Sequence, residues 1–201
     1  MMKNILILFL TGILAACSSN KVAVEASKVE ETKEVIKKEV VQVVREITAK
    51  KDTNGYLIGV ANKESFSDDS FKTWFNSRYK EYTTDKETIA KLTDALKGHT
   101  IKGFMGTWCG DSKRETPRFY KVLEQTDFDL NNFELITVNR SKKTPDNLQE
   151  GLNIIRVPTF IFYKGGKEVG RYVEFPRETL EKDILKIVTG QPYKHSYDKT
   201  K

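Results

Sequence analysis

The sequence predicts an α/β domain whose central mixed β-sheet is flanked by helices, preceded by an N-terminal signal, a tether and a helical extension. From residue 99 onward, short apolar runs alternate with helical segments in the order β-α-β-α-β-β-α. Hydrophobic residues make up 38% of the 201 residues, and 11 Phe and 8 Tyr supply enough aromatic area for a core. Residues 21–52, by contrast, contain no Gly, Pro or aromatic residue. This distribution indicates one folded domain with N-terminal additions.

The charge and the cysteine count exclude several classes of function. The net charge of +6 comes from 34 basic and 28 acidic residues, which are mixed along the chain. A nucleic-acid-binding protein usually clusters its Lys and Arg, so we expect no nucleic-acid partner. Two cysteines, Cys17 and Cys109, are too few for a disulfide scaffold or a four-cysteine zinc site. Two distant histidines, His99 and His195, do not make a metal site, and we expect no metal or cofactor.

The first twenty residues have the pattern of a secretory signal. Lys3 precedes an apolar run over residues 5–14, which is too short to span a bilayer as a mature helix. Leu14-Ala15-Ala16-Cys17 resembles the lipobox of bacterial lipoproteins. That resemblance implies a signal peptide over 1–16, a diacylglycerol on the Cys17 sulfur, and a location in the bacterial cell envelope on the periplasmic side of a membrane. The alternative is an ordinary signal peptide in which Cys17 falls by chance.

Residues 17–55 form the predicted lipid-anchored, charged tether. Its apolar residues recur at helical spacing, which predicts an amphipathic helix over 27–50; they are Val29, Ile36, Val40, Val43 and Ile47. This helix is either a spacer between lipid and domain or a coiled-coil or docking helix. Asp52-Thr53-Asn54-Gly55 is a turn sequence and marks the expected boundary.

Residues 56–98 form the predicted extension that packs on the domain. An apolar run over 56–61 predicts a strand. Ser67-Asp68-Asp69 is able to cap a helix, and Thr84-Asp85 begins a second helix that Gly98 closes. The apolar residues of these two helices are expected in the core: Phe71, Trp74, Phe75 and Tyr79 on the first, and Ile89, Leu92 and Leu96 on the second.

The domain itself spans 99–190, and a polar tail follows over 191–201. Strands are predicted over 100–106, 133–139, 159–163 and 168–173, and helices over 111–125, 145–151 and 178–188. Gly165-Gly166 lies at the corner of a two-residue hairpin that joins the last two strands.

Trp108-Cys109-Gly110-Asp111-Ser112 falls where a strand gives way to a helix. Amides and the macrodipole at a helix N-terminus favour a thiolate, which is the form of cysteine that attacks disulfides. Ser112 is able to donate its hydroxyl to that thiolate but cannot close a disulfide. The charge of Asp111 opposes thiolate formation, and the nearby Lys113 and Arg114 offset it. The alternative interpretation of Cys109 is a small buried hydrophobic residue.

Residues 99–190 resemble thioredoxins at four places in order. Trp108-Cys109-Gly110-Asp111-Ser112 is similar to the family's Trp-Cys-Gly-Pro-Cys, and Pro117 to the proline of its active-site helix. Arg156-Val157-Pro158-Thr159 is similar to its cis-proline loop, and residues 160–167 to the strand and turn that follow. The resemblance implies a thioredoxin-like sheet with helices on both faces and a cis Val157-Pro158 bond beside Cys109. It also implies substrate contacts from Trp108, Gly110, Val157, Pro158 and Thr159.

The departures from the family pattern bear directly on function. Ser112 replaces the second cysteine, Asp111 replaces the proline, and Gly103 stands where the family has a buried acid. That acid is thought to help move the proton when the second cysteine resolves a mixed disulfide. The dithiol cycle of thioredoxins is therefore not expected here.

Two classes of function remain open. The first is a monothiol thiol–disulfide oxidoreductase with Cys109 and Ser112 as its catalytic residues, in which an external thiol resolves the mixed disulfide at Cys109. Its partners are a protein disulfide or a small-thiol substrate, and the membrane through the lipid on Cys17; a monomer is expected. The second is a redox-inactive thioredoxin-fold binding module that holds an envelope protein in the groove between Trp108 and Pro158.

Overall fold

The computed structural model of the protein describes residues 46–198. The predicted signal peptide over 1–16, Cys17 and most of the predicted helix over 27–50 lie outside these residues. Within the described range, no helix combines the length and the apolar character that crossing a membrane requires.

Six strands form one mixed sheet, five of them in segments where the sequence predicts a strand. Their bounds are Lys50–Lys51 (β1), Leu57–Ala61 (β2), His99–Met105 (β3), Phe133–Thr137 (β4), Thr159–Lys164 (β5) and Lys167–Val173 (β6). The spatial order is β1-β2-β4-β3-β5-β6. Strands β3 and β4 are parallel, with Gly103 opposite Leu135, and the other neighbouring pairs are antiparallel. The carboxyl ends of β3 and β4 therefore lie side by side at one edge of the sheet.

Four helices accompany the sheet, and side-chain caps fix where three of them begin. Their bounds are Asp69–Glu81 (α1), Lys86–Ala95 (α2), Gly110–Gln125 (α3) and Leu180–Val188 (α4). Asp68 accepts a hydrogen bond from Ser70 N, and Asp85 accepts one from Thr88 N. Thr179 caps α4 in the same way. Each cap satisfies an amide that has no partner within its helix, which stabilises the start that the sequence predicts.

The helices pack on one face of the sheet, whereas the family resemblance implies helices on both. Buried side chains of α1, α2, α3 and α4 join one apolar cluster with inward-facing residues of the strands, such as Ile101, Leu135 and Phe160. The opposite face carries Phe104 and Ile136, and the segment over 141–156 covers it. A loop rather than a helix therefore covers the second face of the sheet.

The predicted helix over 145–151 is wrong, because this segment is a series of turns. Asn147 has a φ of 52°, in the left-handed region that breaks a right-handed helix. The hydroxyl of Thr144 accepts a hydrogen bond from Leu148 N at 2.9 Å, and the amide of Thr144 donates to Gln149 Oε1 at 3.0 Å. Side chains thus take the place of the backbone partners that a helix would provide.

The part of the predicted 27–50 helix that the structure describes is also extended rather than helical. Thr48 N and Ala49 N donate to Val60 O at 3.0 and 2.9 Å, and Lys50–Lys51 pairs with β2. Gly59 permits this approach, since a Cβ there would lie 3.0 Å from the backbone of Ala49. Pairing with a sheet edge overrides the local helical spacing, as tertiary contacts commonly do.

Asp52 to Gly55 consequently forms a hairpin turn between two paired strands rather than a boundary outside the fold. Gly55 N donates to Asp52 O at 2.9 Å, and the Asp52 carboxylate accepts from Asn54 N and Tyr56 N at 2.8 and 2.9 Å. The hydrogen bond from Tyr56, above all, lowers the pKa of Asp52. The described domain therefore includes residues that the sequence assigns to the tether.

Helix α1 supports the helix that carries the Cys109 motif. The ring of Phe66 stacks on that of Phe75 at 4.9 Å, and Phe75 contacts Tyr120 of α3 at 5.9 Å. Phe75 is buried, as predicted, and Trp74 packs half-buried against the same cluster. The extension is thus part of the core, and α1 packs directly against α3.

Aromatic rings occupy the space beside Gly103, the position where a buried acid is expected in thioredoxins. Phe119 and Phe160 stack with centroids 3.8 Å apart. A Cβ at Gly103 would lie 2.8 Å from Phe133 Cε2, 3.0 Å from Phe160 Cδ1 and 3.1 Å from Leu135 Cδ1. The core of this chain leaves no room for a carboxyl group at this position.

Gly103→Ala tests this packing. The variant should lose about 1–3 kcal/mol of unfolding free energy, because an extra methyl group overpacks a full core. Gly103→Asp should lose more, since it also buries a charge. The matched control is Gly110→Ala, where a Cβ meets nothing within 4 Å, and its change should stay within about 0.5 kcal/mol. Urea unfolding followed by tryptophan fluorescence measures both, and equal losses for the two alanine variants would contradict the packing argument.

Candidate functional site

Cys109 is the N-cap of α3 and follows the short loop after β3, which ends at Met105. Its carbonyl accepts the first helical bond, from Lys113 N at 3.0 Å, and its own amide donates to Gly106 O at 2.9 Å. Its side chain is half-buried and unpaired with any other cysteine in the described residues. The thiol donates to Val157 O, with 3.3 Å between Sγ and the oxygen. The sulfur therefore sits at the positive end of a 16-residue helix.

The Val157-Pro158 bond is cis, as predicted, and the loop around it is held on both sides. Thr159 donates its hydroxyl to Arg156 O at 2.7 Å, and Glu174 N donates to Pro158 O at 2.8 Å. Thr159 is only 1% exposed. Its hydroxyl stabilises the loop that faces Cys109 and does not lie open to a substrate.

Trp108 is fixed beside the thiol by its indole nitrogen. Nε1 donates to Val138 O at 2.8 Å, which ties the loop after β3 to the residue that follows β4. The hydroxyl of Thr107 accepts a hydrogen bond from Leu57 N at 3.1 Å and ties the same loop to β2. The position of Cys109 is thus set by three neighbouring strands.

Ser112 and Gly110 differ sharply in their surroundings. Ser112 is fully buried, and its oxygen accepts a hydrogen bond from Gly106 N at 3.2 Å. Among the described residues no hydrogen bond is seen from this hydroxyl to the Cys109 sulfur, the partner that the sequence predicts. Gly110 is exposed, and the space beside its α-carbon is open. A disulfide is able to approach Cys109 across Gly110.

The charge of Asp111 is compensated by Arg114, as the sequence predicts, but not by Lys113. Asp111 Oδ1 lies 2.7 Å from Arg114 Nη2, and Arg114 Nε lies 2.5 Å from Glu115 Oε1. Burial by itself lowers the pKa of Arg114, but the two carboxylates outweigh that effect and raise the pKa. The ammonium of Lys113 instead lies 5.9 Å from the Trp74 ring.

Glu115 anchors this chain of charges from inside the protein. It is fully buried, and Oε1 also accepts from Arg118 Nη1 at 3.2 Å, while Oε2 has no partner. A buried carboxylate is tolerated only where cations neutralise it. Glu115 thereby fixes Arg114 in the orientation that reaches Asp111.

Glu115→Gln should lower the unfolding free energy by about 1.5–3 kcal/mol, because charge-assisted hydrogen bonds are lost while both arginines keep their charge. Glu87→Gln is the control: its carboxylate pairs with Lys91 but is 80% exposed, and exposed pairs contribute under about 1 kcal/mol. Urea unfolding of the two variants separates the effects. Similar losses of unfolding free energy at both positions would show that burial does not increase the contribution of the Glu115 ion pairs to stability.

The two histidines differ in position and in burial. His99 begins β3, at the end remote from Cys109, and is buried; this burial and then Lys164 lower its pKa. His195 is half-buried, because the segment over 191–198 folds back onto the domain. Tyr193 in that segment donates its hydroxyl to Asp183 at 3.2 Å. Burial is the main cause that lowers the pKa of His195.

Among residues 46–198, no three His, Cys, Asp or Glu side chains are placed to hold a metal ion.

Sequence reasoning missed Arg140, which lies beside the motif. Its Cζ is 5.5 Å from the ring of Trp108 and 5.4 Å from that of Tyr56. One signal was present in the sequence, since Arg140 directly follows the predicted strand over 133–139. In the structure this strand is parallel to β3, so the carboxyl ends of both strands lie at the same edge of the sheet. Tyr56 could not be placed without the pairing of β2 with β4.

The fold and the site define a class of protein, namely one that presents a cysteine for exchange with thiols and disulfides. A mixed sheet presents one half-buried thiol at a helix N-terminus, opposite a loop with a cis proline. Such placement activates a cysteine for exchange with thiols and disulfides.

The chain belongs to the thioredoxin family, whose model matches residues 81–186. It is 31% identical over 105 residues to a thioredoxin-like protein of Acanthamoeba polyphaga mimivirus, covering 52% of this chain and 74% of that protein. It is 25% identical over 99 residues to thioredoxin of Gallus gallus, covering 49% and 89%. The X-ray structure of Fasciola hepatica thioredoxin aligns with a TM-score of 0.34 and 22% identity, over 52% of this chain and 91% of that one. Family membership indicates thiol–disulfide redox chemistry.

Proposed function

We propose that this protein is an envelope lipoprotein that performs monothiol thiol–disulfide exchange through Cys109. One observation carries the proposal: a single half-buried thiol caps α3 and faces Val157, with a serine at the position where thioredoxins have their second cysteine. Trp108, Gly110 and the cis Val157-Pro158 bond of the family pattern are retained around it.

The first step is attack of the Cys109 thiolate on one sulfur of a client disulfide, R–S–S–R′. A Cys109–S–S–R bond forms and R′–S⁻ leaves. The positive end of the α3 dipole, where Cys109 is the N-cap, favours the negatively charged attacking sulfur. Trp108 and the Val157-Pro158 loop border the sulfur, and the open side at Gly110 admits the client.

The second step requires a thiol from outside the chain. Ser112 is buried against Gly106 and carries a hydroxyl, whose pKa is far above that of a thiol, so it cannot attack the mixed disulfide. An external thiol, R″–SH, attacks the client sulfur instead. R–S–S–R″ forms, the Cys109 thiolate is released, and the proton of the external thiol passes to solvent.

A stoichiometric assay tests this scheme. The full chain with Cys17→Ser, in which Cys109 is the only thiol, is mixed with dithiobis(nitrobenzoate) near neutral pH. It should release about one equivalent of coloured thiol, faster than a free-cysteine peptide does, and then stop as a mixed disulfide. Turnover should resume when a small thiol is added. Mass spectrometry identifies the adduct on Cys109.

Two further variants complete the assay. Cys109→Ser should form no adduct. Ser112→Cys should form an internal disulfide and gain dithiol-type activity in an insulin-reduction assay, limited by the missing acid at Gly103. A thiol at Cys109 that reacts only after denaturation would refute the exchange mechanism. The protein would then be better explained as a redox-inactive module that binds a partner in the groove between Trp108 and Pro158.

The lipid anchor is the second part of the proposal. Support comes from the lipobox-like Leu14-Ala15-Ala16-Cys17 after a short apolar run, and from the polar Ser18-Ser19-Asn20 that follows. Attached acyl chains anchor a protein at a membrane without any spanning helix.

Cys17→Ala should abolish incorporation of a metabolic fatty-acid probe, because the only acceptor sulfur in the motif is removed. The labelled cells are fractionated, and the protein is followed by gel and by membrane partition. Cys109→Ala is the matched control and should keep its label, since it removes the chain's other cysteine. Label that persists in the Cys17→Ala protein would disprove the anchor.

A further inference from the structure

Arg140 is held in one orientation beside the proposed reactive site. Its Nη2 donates to the hydroxyl of Tyr56 at 2.9 Å, and its guanidinium lies within 5.5 Å of the rings of Tyr56 and Trp108. Aromatic faces attract a guanidinium and restrict its motion. The side chain is nevertheless exposed.

The charge of Arg140 is not taken up by an ion pair. Within residues 46–198, no carboxylate lies within the 4.0 Å that defines a salt bridge to it. Asp52 lines the same cleft, but its carboxylate is engaged by the amides of Asn54 and Tyr56. Since a guanidinium has five N–H donors, several remain for a ligand.

Arg140 lines a cleft, and its guanidinium also lies 5.5 Å from the ring of Trp108, the residue that precedes Cys109. The cleft has a volume of about 340 Å³ and is lined by Asp52, Asn54, Tyr56, Asn139, Arg140 and Ser141. Its size suits one or two side chains. Arg156 is also exposed, and the carbonyl oxygen of its neighbour Val157 lies 3.3 Å from Cys109 Sγ. The guanidinium of Arg156 lies 4.9 Å from the Tyr197 ring.

We propose that Arg140 binds a carboxylate side chain of the client, near the client's reactive cysteine, and so gives the protein a preference for acidic disulfide peptides. This inference rests on the proposed function and names its substrate class. A carboxylate matches the planar donors of arginine with two parallel hydrogen bonds. Asp111 does not oppose the approach of an anion, because Arg114 neutralises it.

The test uses the full chain with Cys17→Ser and three peptides that each contain one cysteine joined to thionitrobenzoate. The peptides carry Glu, Gln or Lys at the two positions on each side of that cysteine. The second-order rate of thionitrobenzoate release is measured for each. The Glu peptide should react about two- to fivefold faster than the Gln peptide, the range expected for an exposed ion pair, and the Lys peptide should be slowest.

Arg140→Gln should bring the ratio of the Glu rate to the Gln rate close to one. Arg140→Lys should restore only part of it, since an ammonium cannot form the two parallel bonds. Lys143→Gln is the matched control: it removes an exposed cation from the same loop and should leave the ratio unchanged. A ratio that survives in Arg140→Gln, or that falls equally in Lys143→Gln, would overturn the role of Arg140.

The same data keep this inference separate from the proposed function. The rate with the Gln peptide, compared with a free-cysteine peptide, reports whether Cys109 is an activated thiol. A fast Gln reaction without a Glu preference leaves the monothiol chemistry standing and rejects the acidic client. A Gln reaction no faster than that of free cysteine rejects both.

Discussion

The approach of the Cys109 sulfur to the Val157 carbonyl, at 3.3 Å, is the constraint on which the site depends. Two segments distant in sequence must meet there, one at the start of a helix and one at the start of a strand. Each is fixed independently: Trp108 is bonded to Val138, and Pro158 is bonded to Glu174. Because both anchors are hydrogen bonds to backbone carbonyls or amides, the geometry depends on the sheet rather than on flexible side chains. Local unfolding at the end of β4 or β6 would therefore displace the groups that position the Cys109 thiol.

Local signals account for the parts of this fold that sequence reasoning predicts. Asp68 and Asp85 cap helices within a few residues of themselves, and the motif at Cys109 lies within a few residues of the strand before it and runs into the helix after it. Parts that the sequence does not predict depend on distant partners. Lys50–Lys51 is a strand only because β2 offers an edge, and His195 is half-buried only because the tail folds back. Periodicity within one segment carries no information about such partners.

The candidate site shows the same division. Cys109, Gly110 and the Val157-Pro158 loop could be identified from motifs. The hydrogen bond between Ser112 and Gly106, by contrast, depends on how the first turn of α3 tucks under the loop. Arg140 lies in no motif, and its relation to Tyr56 follows from strand order alone. Residues that shape access to a reactive group commonly lie on loops after strands, where spacing in sequence says little about spacing in space.

The departures from the family pattern at positions 103 and 112 are consistent with one another in physical terms. In a dithiol site, a buried acid has a role only if a second thiol must lose its proton there. With a serine at position 112 that proton transfer does not arise, and a buried carboxyl would cost desolvation energy without a function. The space beside Gly103 is filled by the rings of Phe133 and Phe160 instead. Under the proposed function, the resolving thiol comes from solvent across the open side at Gly110. The surface around the sulfur, rather than the core beneath it, then determines which partners react.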